Sequence, residues 1–254
     1  MDILKPDWPA PSNICVAIST RYGGQSLPPW DSLNLAFHVG DKAESVEQNW
    51  QLLSKQLHLP SAPQLLNQIH GTDMVRAGCD GVILTADGSF TDVPGRVCTI
   101  MTADCLPILV CNRAGTEVAA VHAGWRGLAA GVVGNAIKQF SSPPEDLMAY
   151  LGPAISQQHF EVGGEIRQEF LANAINENFR DRVKTCFLKS CNGLKSHDAH
   201  WMADLYGLAK ITLHVEGITQ IYGGNFCTYE DSEKFYSYRR EGQTGRMASL
   251  IWIS

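Results

Sequence analysis

Apolar residues along the 254-residue chain fall into short runs of two kinds. The first kind is near-continuous: ICVAIST at 14–20, VCTIMT at 97–102, LPILVC at 106–111, TEVAAVH at 116–122 and LMAYLGPAI at 147–155. Such runs, bounded by turn residues and rich in β-branched side chains, predict buried strands. The second kind is periodic. Val46, Trp50, Leu53 and Leu57 repeat at helical spacing and predict a helix over 42–58 that stops before Pro60. Asp41 with Glu44 resembles a capping box at its start. Further helices are expected over 163–178, with Ile166, Phe170 and Leu171 inward, and over 201–215, with Trp201, Leu205, Leu208 and Val215 on one side. The small, apolar stretch from Trp125 to Phe140 reads as a helix whose glycines permit close packing on a sheet.

The remaining segments carry turn chemistry. A long loop spans TRYGGQSLPPWDSLNLAFHVGD, a short strand and a turn at His70-Gly71 occupy 64–76, and SCNGLKSHDAH at 190–200 is a polar loop. TQIYGGNFCT reads as a strand, and the C-terminus as a hairpin of FYSYRR, the turn EGQTG and RMASLIWI. Strands interleave with helices and no linker or repeat interrupts them, so one α/β or α+β domain is expected over 1–254.

Composition narrows the function classes. At 44% hydrophobic and 18% charged residues the chain supports a sizeable core. A net charge of −6 argues against broad electrostatic binding to nucleic acid or anionic membrane, though not against a local basic pocket. No apolar stretch is long enough to span a bilayer, and MDILKPDWPAPSN lacks the pattern of a secretory signal. A cytoplasmic location is therefore expected, with the eight cysteines as reduced thiols. Cys15, Cys98 and Cys111 sit in strand-like runs as small core residues.

Cys105 differs from these. It lies in the break Ala103-Asp104-Cys105 between two strands, where Pro107 predicts a strand start or a bulge. His122 ends the next strand, and His70 precedes Gly71 in NQIHGTD. Side chains at strand ends converge on a common mouth. Two imidazoles and a thiolate suit zinc with one position left open, although the wide spacing taken alone favours a core cysteine and satisfied histidines. The same set also suits a blue-copper site, or a Cys105 nucleophile with His122 as its base. Eight histidines, without closely spaced pairs of ligands, do not supply a multicopper centre. A helix start near Gly124 would favour anions and a thiolate.

Basic and polar candidates for substrate binding are Arg21 and Asn34 in the long loop, Arg126 after His122, and Arg240 and Arg246 around the C-terminal turn. His38 is a further loop candidate, while Arg239 reads as pairing with surface carboxylates such as Glu230, Asp231 or Glu241, and the same pairing is the alternative for Arg126, Arg240 and Arg246. Arg21, Asn34 and His38 can equally pin the loop through backbone hydrogen bonds.

Together NQIHGTD, TADCLPILV, VAAVHAGWRGLAAG, LGPAI and FYSYRREGQTGRMA resemble the YfiH-like laccase-domain family, once labelled polyphenol oxidases, in order from about Arg21 to Ile253. The resemblance implies a four-layer α-β-β-α sandwich shared with cysteine hydrolase-like toxins. It implies metal ligands at His70, Cys105 and His122, with zinc the usual metal and copper the older assignment. The implied activity is phosphorolysis of adenosine, inosine, guanosine and methylthioadenosine, together with deamination of adenosine. A further implied activity is amide hydrolysis that edits cell-wall precursors, and the oldest is copper-dependent phenol oxidation. The expected partners are a purine nucleoside and phosphate, with the chain a monomer or weak dimer.

Overall fold

A computed structural model describes residues 1–190 and 200–254. In chain order its elements are β1 (Ile3–Leu4), β2 (Ile14–Ser19), α1 (Ala43–Leu57), β3 (Leu66–Asn67), β4 (Met74–Arg76), β5 (Leu84–Thr85) and β6 (Gly88–Thr91). Then come β7 (Val97–Thr102), β8 (Leu106–Asn112), β9 (Val118–Ala123), α2 (Trp125–Ala130), α3 (Val132–Ile137), β10 (Leu147–Leu151), β11 (Glu161–Gly163), α4 (Gly164–Ala172) and α5 (Glu177–Thr185). The chain closes with β12 (Phe187–Lys189), β13 (His200–Ala203), α6 (Leu205–Val215), β14 (Gln220–Gly223), α7 (Tyr238–Glu241) and β15 (Met247–Ile253).

The fold is mixed α/β. One sheet has the order β1-β2-β15-β7 and is antiparallel throughout. A second, β14-β10-β8-β9-β6-β4, is antiparallel at its centre and parallel at both edges. Small sheets β11-β13-β12 and β3-β5 complete it.

The continuous apolar runs have a simple cause. Successive strand residues face opposite sides, so a strand covered on both sides needs apolar residues throughout. Along β7, Cys98 and Ile100 join Leu109, Cys111, Val118, Ala120 and Ile251 in a core between the two large sheets. Val97 and Met101 face instead Val46, Trp50 and Leu53 of α1. The alternate residues of β8 and β9, Ile108, Val110, Ala119 and Val121, pack with Leu128, Val133, Leu208 and Leu213 from the helices on the far side. No helix among the described residues is long and apolar enough to cross a membrane.

Several local expectations are corrected. The helix over 125–140 is two helices broken at Gly131, whose φ of 96° only glycine adopts easily. The helix over 163–178 is likewise two, because Asn176 accepts the Phe179 N–H and starts α5 anew. Trp201 belongs to β13, and α6 begins only after Asp204, whose side chain caps the Gly207 N–H. Asp41 does not cap α1; its carboxylate takes hydrogen bonds from Ser26 and Asn34. The C-terminal hairpin is absent: Tyr238–Glu241 form a short helix, and β15 pairs with β2 and β7. The expected strand at 219–228 shortens to Gln220–Gly223, since Gly223 and Gly224 both turn through positive φ. Residues 191–199 of the expected loop, with Cys191 and His197, lie outside the described residues.

Candidate metal centre and its cavity

β8 and β9 are neighbours, and Pro107 faces His122 across the ladder. Proline offers no N–H; the His122 N–H donates on the other side, to the Asp87 carbonyl at 2.7 Å. His122 is buried, and its Nδ1 lies 2.8 Å from Asp87 Oδ1. That contact leaves Nε2 for the side on which Cys105 lies.

Asp87, fully buried ahead of β6, does more than orient one ring. Its carboxylate also accepts the backbone N–H groups of His70 at 2.9 Å and Gly71 at 2.6 Å. Burial alone would raise its pKa, but the hydrogen bonds from His122, Gly71 and His70 outweigh this and hold it below the ordinary carboxylate range. One anion thus sets the His122 ring and the backbone of His70, which turns through φ 61°.

Cys105 follows Asp104, whose φ of 92° is rare for a residue with a side chain. Three bonds hold that turn: Thr228 Oγ1 and the Arg239 N–H donate to the Asp104 carboxylate at 2.6 and 2.7 Å, and the Ile155 N–H donates to its carbonyl at 3.0 Å. The result is convergence. Cys105 Sγ lies 3.8 Å from His70 Nε2, the two imidazole centroids are 4.8 Å apart, and the three donor atoms lie within 4.8 Å of one another. Gly124 keeps this space open: a Cβ there would stand 3.0 Å from His70, 3.1 Å from Cys105 Sγ and 3.5 Å from His122 Nε2.

The donors fit a borderline divalent cation. Two imidazoles and a thiol, one ring anchored through its other nitrogen by a carboxylate, are a zinc-type set with a position left open. Burial would raise the Cys105 thiol, but the charge and hydrogen bond of His122, then those of His70, bring it down to about 6. Burial would lower His122, but Cys105 and Asp87 raise it to about 9. The two imidazoles thus favour the Cys105 thiolate, the form that binds metal.

The three residues line a cavity of about 540 Å³, in the size range of small-molecule sites. Its wall contains three arginine–aromatic pairs: Arg126 4.3 Å over Trp125, Arg239 5.5 Å over Phe160 and Arg246 5.7 Å over Tyr238. Arg126 has no hydrogen-bonding or ionic partner among the described residues. His38 also lines the cavity.

The other sequence candidates lie elsewhere. Arg21 is buried against Tyr236 and donates to the Asp31 and Ser232 carbonyls and to Glu241. Asn34 is fully buried and bonds Ala36, Asp41 and the Arg246 N–H. Arg240 donates to the carbonyls of Thr228, Tyr229 and Phe235 and to Glu241. All three pin loops. Arg239, by contrast, has no ion pair with Glu230, Asp231 or Glu241; it faces the cavity and donates to the Glu161 carbonyl at 2.8 Å. Sequence reasoning missed Asp87, Trp125, Phe160 and Tyr238. Trp125 and Tyr238 lay inside the quoted motifs without a role assigned to them, and Asp87 showed an Asp-Gly pair directly before a strand.

The profile of the family described as multi-copper polyphenol oxidoreductase laccase matches residues 15–254. Purine nucleoside phosphorylase YfiH of Escherichia coli K12 is 47% identical over 252 residues, 99% of this chain and 98% of the relative. Purine nucleoside phosphorylase PA4543 of Pseudomonas aeruginosa is 47% identical over 250 residues, 98% of each chain. In three dimensions the chain resembles Neisseria meningitidis protein NMB0706, with a TM-score of 0.91, 47% identity and 100% coverage of both chains. YlmD from Geobacillus stearothermophilus has a TM-score of 0.85 at 26% identity, covering 95% of this chain and 92% of its own.

Proposed function

The chain belongs to the YfiH-like laccase-domain family, and on that premise we propose that it is a zinc-dependent purine nucleoside phosphorylase working in the cavity of His70, Cys105 and His122. The observation that carries this reading is the joining, in one cavity, of a three-donor cluster with three arginines, each lying over an aromatic ring.

A zinc ion held by His70, Cys105 and His122 would supply a Lewis acid and activate water at neutral pH. Asp87 keeps His122 in the tautomer that offers Nε2. Arg126, Arg239 and Arg246 hold phosphate as a charge-complementary, bidentate partner. Trp125, Phe160 and Tyr238 offer apolar faces to a purine. Phosphorolysis then forms a bond from a phosphate oxygen to the ribose anomeric carbon as the bond to the purine nitrogen breaks. The base leaves with a proton, and the developing positive charge on the sugar meets the phosphate anion. Adenosine, inosine, guanosine and methylthioadenosine share this reacting centre, and adenosine can alternatively take a water oxygen at the purine carbon that bears its amino group, whose C–N bond breaks to release ammonia and leave inosine.

Incubating the purified protein with adenosine, with and without phosphate, tests the reading. Adenine and ribose 1-phosphate should form only with phosphate, inosine should form without it, and chelation should suppress both. Absence of all three products, with no effect of chelator, would remove it. A second reading draws on the Cys105 thiolate beside the His122–Asp87 pair: a cysteine-dependent amide hydrolase acting on cell-wall precursors. In that case alkylation of Cys105 abolishes amide turnover and chelators leave it intact. Copper bound at the same donors is the source expected for any phenol oxidation, which should vanish in metal-defined protein.

A further inference from the structure

Behind the wall of the cavity, two segments run side by side. Ala154 bridges to Cys227, and the Thr228 N–H donates to the Ala154 carbonyl at 3.0 Å. Each segment then turns, closed by the His159 N–H on the Ser156 carbonyl at 3.1 Å and the Asp231 N–H on the Cys227 carbonyl at 3.0 Å. These turns bring an imidazole nitrogen of His159, Cys227 Sγ and a carboxylate oxygen of Glu230 within 4.8 Å of one another. The His159 ring is held by stacking on Tyr229, centroids 4.5 Å apart and planes 18° from parallel. None of the three donor groups has a hydrogen-bonding or ionic partner among the described residues. Three groups able to bind a metal therefore converge with no hydrogen bond or ion pair from the described residues competing for them.

We propose that His159, Cys227 and Glu230 form a second divalent-metal site, distinct from the cluster of His70, Cys105 and His122. The donor set of one nitrogen, one sulfur and one oxygen selects a borderline cation such as Zn2+, because Mg2+ and Ca2+ take oxygen ligands. Bonds of about 2.0–2.3 Å place tetrahedral ligands roughly 3.3–3.8 Å apart. The exposed Glu230 side chain can rotate to close the remaining gap. The ion is structural in effect. Phe160, next to His159, lines the cavity, and Thr228, next to Cys227, holds the Asp104 turn that sets Cys105. A cation joining the two segments braces both. The site stands on its own geometry, whatever reaction the cavity performs.

Zinc chloride alone, titrated into metal-stripped full-length protein and followed by calorimetry and elemental analysis, tests this. Two equivalents per chain are expected. Cys227→Ala and Glu230→Gln should each weaken one of them about tenfold or more and leave the other, while Cys105→Ala does the converse. With cobalt(II) as probe, Cys105→Ala should retain a thiolate-to-cobalt absorption band that the added Cys227→Ala removes. Glu230→Gln changes an exposed side chain, so the test holds even where Cys227→Ala fails to fold. Saturation of the wild type at a single equivalent would overturn the proposal. So would a second equivalent unaffected by Glu230→Gln, with no cobalt band in Cys105→Ala.

Discussion

Asp87 shows how much of the candidate centre depends on one residue that is not itself a donor in it. It fixes the His122 ring and the His70–Gly71 backbone at once. Asp87→Asn keeps the shape and removes the charge. Zinc affinity, measured by chelator competition, should fall about 10- to 100-fold, with the circular dichroism spectrum unchanged; wild-type affinity would show that the carboxylate is dispensable. Gly124 makes a complementary prediction. Its backbone, φ −60° and ψ 155°, accepts alanine without strain, so Gly124→Ala should fold. Its new methyl, 3.0–3.1 Å from His70 and Cys105 Sγ, crowds the space between the donors, so any zinc affinity measured by chelator competition should fall. The task of neither residue could be read from sequence, though Asp87 stands in an Asp-Gly pair and Gly124 in a quoted motif. Asp87 and His122 are 35 positions apart, and no periodicity links an acid before one strand to an imidazole at the end of another.

At the scale of elements, what could be read was what repeats. The strands at 97–102 and 106–112 and the helix at 43–57 follow from local apolar patterning. The helix-boundary failures lie where single residues override a pattern, whereas the expected C-terminal hairpin gave way to long-range pairing of β15 with β2 and β7. Gly131 splits the helix after His122, and nothing lies within 4 Å of a Cβ placed there. Gly131→Ala should therefore lower stability by about 1–2 kcal/mol through backbone strain alone, visible as a reduced urea midpoint with substrate affinity unchanged. Asp204 resets the start of α6 by capping Gly207 at 2.9 Å. Asp204→Ala should cost about 0.5–2 kcal/mol by the same measurement. A loss much smaller than this would mean that packing of α6, not its cap, sets its boundary.

The whole molecule is closed by its C-terminal segment, where β15 lies between β2 and β7 and joins the two ends of the chain. Glu241 clasps this closure, accepting from Arg21 at 2.8 Å and Arg240 at 3.0 Å. Burial would raise its carboxyl, but the hydrogen bonds from Thr244, Arg240 and Arg21 prevail and hold it below the ordinary range of about 4.5. A depressed carboxylate contributes stability above its unfolded pKa and loses it as pH falls through the folded value. Glu241→Gln should therefore lower the denaturation midpoint near neutral pH and flatten the loss on acidification below about pH 4.5; parallel pH profiles would exclude this linkage. Arg21 was legible as a basic residue, yet its task of pinning this closure was not, because it joins positions 220 apart. By itself the sequence determined the buried strands, the main helix, the ordinary globular composition and the presence of His70, Cys105 and His122 at chain breaks. Burial and secondary structure follow from neighbours along the chain, so a single sequence carries them. Tertiary structure alone decided that these three side chains meet, that Asp87 orders the two histidines, and that Arg126, Arg239 and Arg246 face the cavity while Arg21 and Arg240 do not. Those outcomes rest on contacts between distant segments, and such contacts exist only once the sheets have packed.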